Sequence, residues 1–206
     1  TRSRAELRVF DQLRSCFAGA DQHGWFAMHS LNLPQHEYKR FGEIDFVVCG
    51  PDGVFVLEVK GGGVSCRDGI WETRNRHGSV EQLSESPFRQ AEGALHGLRK
   101  KLPAELAAAF VFGYAVVMPD VGGLPESAEW DRAVLADART FRQFEQWLKK
   151  LISHWRNKGR SDSKASPEQL RKLQQFLRPE FEAVMPLHAS AHAIEARVAQ
   201  LTEDQL

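Results

Sequence analysis

The chain has 206 residues, 42% of them hydrophobic, and a formal net charge of +0 at pH 7. That length suits one medium domain with an appendage, and neutrality excludes a protein that holds nucleic acid by bulk charge, so any basic surface has to be local. Three cysteines without CxxC spacing speak against a structural zinc site and for a reducing, cytoplasmic compartment. No apolar stretch nears the ~20 residues needed to cross a bilayer, so no membrane partner is expected.

Residues 3–18 predict an amphipathic helix with Glu6, Phe10, Leu13 and Phe17 on one face and Val9 beside them. Ser3-x-x-Glu6 is also a capping box, with Glu6 reaching back to the Ser3 amide. Glu6 is therefore either a cap or a site residue, and the two roles exclude each other. Trp25, Phe26, Met28, Leu31 and Leu33 predict a first strand that ends at Pro34. Gln35–Arg40 is polar and reads as a loop, in which His36 either contacts a phosphate or is simply solvated.

Gly42–Lys60 organises the rest. Two strands meet at a Pro51-Asp52-Gly53 turn. The second, Val54–Lys60, is apolar on both faces until its end, as suits a central strand covered on both sides. Glu58 and Lys60 are two apart and share a face, and Asp45 lies in the preceding strand. Two carboxylates and an amine thus converge at the edge of an apolar sheet, where charges persist only if paired or holding a metal. Glu43 faces with Asp45 if its strand is regular. The bland alternative is a surface ladder pairing Glu58 with Lys60 across strands, which fits poorly with the apolar run before them.

Gly61–Gly63 is a flexible turn, or a place where a ligand approaches the backbone closely. Cys66–Arg76 predicts a further hairpin whose Arg67, Arg74, Arg76 and His77 either face nucleic acid or are solvated. Pro87 opens a helix with Phe88, Ala91, Leu95, Leu98 and Leu102 as its apolar stripe and Gln90 on the flank. Arg99, Lys100 and Lys101 close it, where positive charge suits the helix dipole, and the two lysines are further candidates for a basic patch. Phe110–Met118 predicts a buried strand, and 133–136 a short edge strand. Thr140 is read as the cap of a helix that runs through Trp155. Residues 157–166 are the best linker, and 167–206 follow as an extension with helices at 167–177, about 179–185 and about 188–201.

The ordered set of an acidic helix with Glu6, then Gly42-Glu43-Ile44-Asp45, then Glu58-Val59-Lys60, then a helix with Gln90 resembles the PD-(D/E)xK nucleases of the restriction-endonuclease-like superfamily. Within it the chain most resembles the nuclease-related domain (NERD) family, over roughly residues 1–120. The resemblance implies an α/β fold, with a restriction-endonuclease-like core (a mixed central sheet flanked by helices) at 1–156 and an α-helical C-terminal extension. It implies Mg²⁺- or Mn²⁺-dependent hydrolysis of DNA phosphodiesters in DNA processing or repair. Glu6, Asp45, Glu58, Lys60 and Gln90 would form the catalytic set. The metal would sit on Asp45, Glu58, the Val59 carbonyl and Glu6. One departure is Gly61-Gly62-Gly63, where the family has a bulky residue such as Trp. A catalytically weak or inactive DNA-binding module of a larger protein is the alternative.

The last residues, Leu201-Thr202-Glu203-Asp204-Gln205-Leu206, resemble the opening of a superfamily-one DNA helicase, in which the Gln reads adenine. That likeness implies a fused helicase domain beyond this chain. The plainer reading is a helix end with Thr202 as N-cap. No GxxxxGK[ST] loop occurs here, so a kinase or ATPase reading has no support.

Overall fold

The computed structural model describes residues 3–18, 24–33, 42–160 and 163–179, and the side chains of these except at 32, 33, 42 and 43. Its centre is a five-stranded sheet of β1 (Phe26–Leu33), β2 (Gly42–Gly50), β3 (Gly53–Val59), β7 (Phe112–Met118) and β8 (Leu135–Asp137), in the order β1-β2-β3-β7-β8. The first three strands run antiparallel, whereas β3-β7 and β7-β8 are parallel pairs. A second sheet of β4 (Gly63–Arg67), β5 (Ile70–Arg74) and β6 (Val80–Gln82) forms a wing after β3. The helices are α1 (Arg4–Phe17), α2 (Pro87–Lys101), α3 (Ala104–Ala109), α4 (Ala138–Phe141), α5 (Phe144–Lys158) and α6 (Pro167–Leu177).

Strand alternation divides the core into two layers. Phe55 and Leu57 pack with Ala5, Val9 and Leu13 of α1 and with Phe144 and Leu151 of α5. Val54 and Val56 pack with Leu95 and Leu98 of α2, Leu106 of α3 and Leu170 and Leu173 of α6. Every residue of β3 is buried, as its unbroken apolar run requires. The result is a mixed α/β architecture with helices on both faces of the sheet, the fold class expected from the sequence.

Three local expectations are corrected. Phe10 is 40% exposed, and the buried stripe of α1 is Ala5, Val9, Leu13 and Cys16. Thr140 is not the cap: the Asp137 carboxylate accepts the Arg139 and Thr140 amides and starts α4 at Ala138, and non-helical backbone at Gln143 separates it from α5, so one expected helix becomes two. The edge strand expected at 133–136 is a 3₁₀ turn at Arg132–Val134 followed by β8.

The wing meets the body through one buried side chain. Trp71 packs edge-on against Phe88 of α2 and against Trp130, and those two rings stack on each other at 4.8 Å. At the other end of the molecule, Ala165 N–H donates to the Pro51 carbonyl at 2.8 Å, and Arg156 and Lys164 reach Asp52 at 3.1 and 3.4 Å. These contacts seat α6 beside the β2–β3 turn. Gln35–Arg40 with His36, and the helices expected beyond 179, lie outside the described residues.

Leu173 is fully buried between α6 and the sheet layer. Leu173→Ala is expected to cost about 2–4 kcal/mol. In denaturant titration the loss is expected in a single transition that includes the sheet, because α6 shares its apolar cluster. An early, separate transition for α6 would show instead that it is an independent appendage.

Candidate active site

The site begins with a missing rung. β1 and β2 pair through His29 opposite Phe46 and Leu31 opposite Ile44, but Ser30 and Asp45 between them do not pair. Ser30 has φ of 53°, a left-handed conformation uncommon outside glycine. Ile44 and Phe46 therefore fall in opposite core layers, although a regular strand would put them on one face. The Asp45 carboxylate turns to β3 instead, where Oδ2 accepts the Val59 amide at 2.7 Å. The regularity on which the orientation of Glu43 depended is absent, and the Glu43 side chain is outside the described residues.

Glu58 leaves the apolar run with its side chain only 3% exposed, and its Oε1 lies 2.7 Å from Lys60 Nζ. This pair lies along the end of one strand, with Glu58 buried and Lys60 16% exposed, so it is not a cross-strand surface ladder. Burial raises the Glu58 pKa first of all, and Asp45 and Glu6 add to this. Lys60 pulls the other way without prevailing, and the carboxyl is pushed up to about 7. Glu6, Asp45, Glu58 and Lys60 thus lie within electrostatic reach of one another. Lys60 is held at its backbone, where its N–H donates to the Val117 carbonyl at 2.9 Å.

Glu6 completes the cap with one carboxylate oxygen and leaves the other for a second partner. Its amide donates to Ser3 Oγ at 3.1 Å, and its Oε1 accepts the Ser3 amide at 3.2 Å, which completes the capping box. Its Oε2 meets His29 Nε2 at 2.9 Å. A carboxylate has two oxygens, and here each has its own partner. Burial by itself would raise the Glu6 pKa, but the bonds from Ser3 and His29 outweigh it and hold the carboxyl below its ordinary value.

His29 is a residue that sequence reading missed. Its ring is 12% exposed, tilts against Phe46 at 4.8 Å, and has Nδ1 3.0 Å from Ser30 Oγ. The only signal was a histidine in a strand whose neighbours Met28 and Leu31 are buried.

Gln90 lies in the first turn of α2, half-buried, and among the described residues no hydrogen bond joins its side chain to these carboxylates. Arg67, Arg74 and Arg76 are exposed on or beside the wing. Lys100 and Lys101 end α2, roughly 20 Å of helix from its start. The basic candidates therefore do not share one element. The Gly61–Gly63 loop passes beneath the arginines. Gly62 has φ of 77°, and a Cβ there would come within 2.2 Å of the Arg74 carbonyl oxygen, so only glycine fits.

The fold and cluster define a mixed α/β domain with acidic groups and a lysine gathered where β3 ends. The sequence model of the nuclease-related domain family matches residues 1–118, more than half of the chain, and the chain belongs to that family. Neither a curated protein nor a solved structure matches the chain significantly.

The raised Glu58 pKa has a definite sign. The folded protein holds that proton to about pH 7, whereas an ordinary glutamate loses it near 4.5. The protonated carboxyl favours the fold below the lower value, and this contribution is lost as pH rises through about 7. In EDTA, Glu58→Gln is therefore expected to equal the parent near pH 4.5 and to exceed it at pH 8, by on the order of 3 kcal/mol in chemical unfolding. A less stable Glu58→Gln protein at pH 8 would show that pairing with Lys60 outweighs burial.

Proposed function

We propose that this domain hydrolyses DNA phosphodiesters with Mg²⁺ or Mn²⁺ bound at Asp45 and Glu58. The observation that carries the reading is the buried Glu58, ion-paired to Lys60 and repelled by both Asp45 and Glu6. Such a cluster is costly to the fold and gains from a cation. Its hard carboxylate oxygens suit Mg²⁺ or Mn²⁺. Among the described residues, no three His, Cys, Asp or Glu side chains are placed to hold a metal together. The Val59 carbonyl and Glu6, directly or through water, would complete the set, as Mg²⁺ keeps several water ligands. The bound cation supplies Lewis-acid polarisation of phosphate and an acidified water.

The protein groups then have separate tasks. Lys60, whose Nζ lies 2.7 Å from Glu58 Oε1, would donate to a phosphate oxygen as charge builds on it. Asp45, braced by the Val59 amide, keeps the ends of β2 and β3 in register. His29 fixes the rotamer of Glu6. Gln90 borders the site from α2. Coupling to a helicase rests on the resemblance of Leu201–Leu206 alone, and that segment lies outside the described residues.

The reading is tested with labelled single-stranded, duplex and branched DNA in Mg²⁺, Mn²⁺ or EDTA. Asp45→Ala, Glu58→Ala and Lys60→Ala are expected to abolish cutting while each variant still melts cooperatively. Glu6→Gln keeps the capping box, because Gln serves there, and is expected to cut at least tenfold more slowly with little change in Tm. Cutting that survives EDTA, or all three alanine changes, refutes the assignment. A second reading is a module that binds DNA without cutting it, favoured because no three-side-chain metal cluster forms among the described residues. DNA that is bound and never cut would select that reading.

A further inference from the structure

Beside Lys60 the chain forms a groove that the cleavage chemistry does not use. It encloses about 750 Å³ between the start of α1, the Gly61–Gly63 loop and the end of β5, and Arg4, Arg8, Arg74 and Arg76 line it. A second hollow of about 300 Å³ over the wing shares Gly63 and Arg74 with it and adds Arg67. In a chain of formal net charge +0, five arginines along one continuous surface are a strong local concentration of positive charge. The acids lining the two hollows are Asp120 and Glu72. Asp120 is committed, since its Oδ1 holds Arg8 at 2.6 Å and its Oδ2 accepts the Gly62 amide at 2.9 Å.

The groove floor is backbone. A Cβ on Gly61 would sit 2.9 Å from Ala5 Cβ, and one on Gly62 would strike the Arg74 carbonyl oxygen. Glycines therefore let α1, the loop and the wing close on one another and leave a shallow track with arginines above it. This accounts for the glycine run where a bulky residue was expected. Gly61 and Ala5, which line the track, are the chain neighbours of Lys60 and Glu6, so the track lies beside the acidic cluster.

We infer that this track holds the phosphate backbone of one strand of a nucleic-acid duplex, without reading its sequence. The inference rests on the hydrolase reading only for the direction in which the strand runs. With Arg8 held by Asp120, four arginines remain to meet phosphates and Glu72 offsets one of them, so the track suits about three phosphates. Single-strand binders add aromatic platforms on which bases stack. Among the described residues, none that lines the two hollows is aromatic. The track can therefore grip phosphates but not bases, and the bases stay paired with the other strand.

The test uses the whole chain in EDTA, where binding is read without turnover. Fluorescence anisotropy is measured on two 20-base-pair duplexes of unrelated sequence and on a single strand of equal length, across a salt series. The two duplexes are expected to bind alike and at least tenfold more tightly than the single strand, with log K falling against log salt at a slope near −3. The double change Arg4→Gln with Arg76→Gln alters two exposed side chains, leaves the melting profile intact, and is expected to weaken duplex binding at least tenfold and to flatten the slope by about 2. Preference for the single strand, sequence-dependent affinity, or binding indifferent to the double change overturns the inference. A chain that binds in this way but never cuts with Mg²⁺ loses the hydrolase reading alone. A chain that cuts while indifferent to the double change loses the track alone.

Discussion

The structure depends on keeping Glu58 and its like-charged neighbours at the end of the most buried strand. β3 is apolar from Val54 to Leu57 and covered on both faces, so its position is set by some of the strongest burial in the chain. That rigidity is then spent on an unfavourable arrangement. Glu58 enters the same buried strand with Asp45 and Glu6 close enough to raise its pKa. Lys60 relieves part of the repulsion, as expected where a buried ion pair recovers desolvation only in part. The two parallel rungs that bring β7 alongside Glu58 and Val59 keep the strand end from relaxing away.

The bonds around the cluster brace it. The Asp45 carboxylate does the work of a ladder carbonyl at Val59, His29 restrains one oxygen of Glu6, and Ser3 restrains the other. Each brace comes from a different place, namely β2, β1 and the N-cap of α1. The cluster is thus a junction of three elements whose spacing is fixed by the two core layers, and it exists only when those layers are formed.

Much of this was legible in the sequence because it follows from period and punctuation. The Pro51-Asp52-Gly53 turn between apolar runs gave the hairpin, Pro87 with its apolar stripe gave α2, and two-residue spacing put Glu58 and Lys60 side by side. The illegible parts all arise from pairing between distant segments. The absent Ser30–Asp45 rung has no local signature, because either residue alone suits a regular strand. His29 gains significance only from Glu6, which is 23 residues away. The break between α4 and α5 falls at Gln143, whose non-helical backbone has no signature in helix propensity. The stripe of α6 showed a helix with one apolar face but not what the face covers, and the Ser- and Lys-containing segment before it looked like a tether rather than a strap bound to Asp52 and Pro51.

The wing is fastened quite differently from the sheet it follows. Trp71 is its one deeply buried side chain, gripped by Phe88 and Trp130, while β4 and β6 are largely open to water and Ile70 and Val80 sit on the outside. A module pinned by one buried aromatic peg, with Val64 and Leu83 only partly buried beside it, carries little of the folding energy. Its remaining positions can drift in charge, length and shape without disturbing the packed layers. The wing is therefore the part of the molecule on which natural variation can act most freely, and related chains can diverge in what they grip while the peg and the buried glutamate stay where they are.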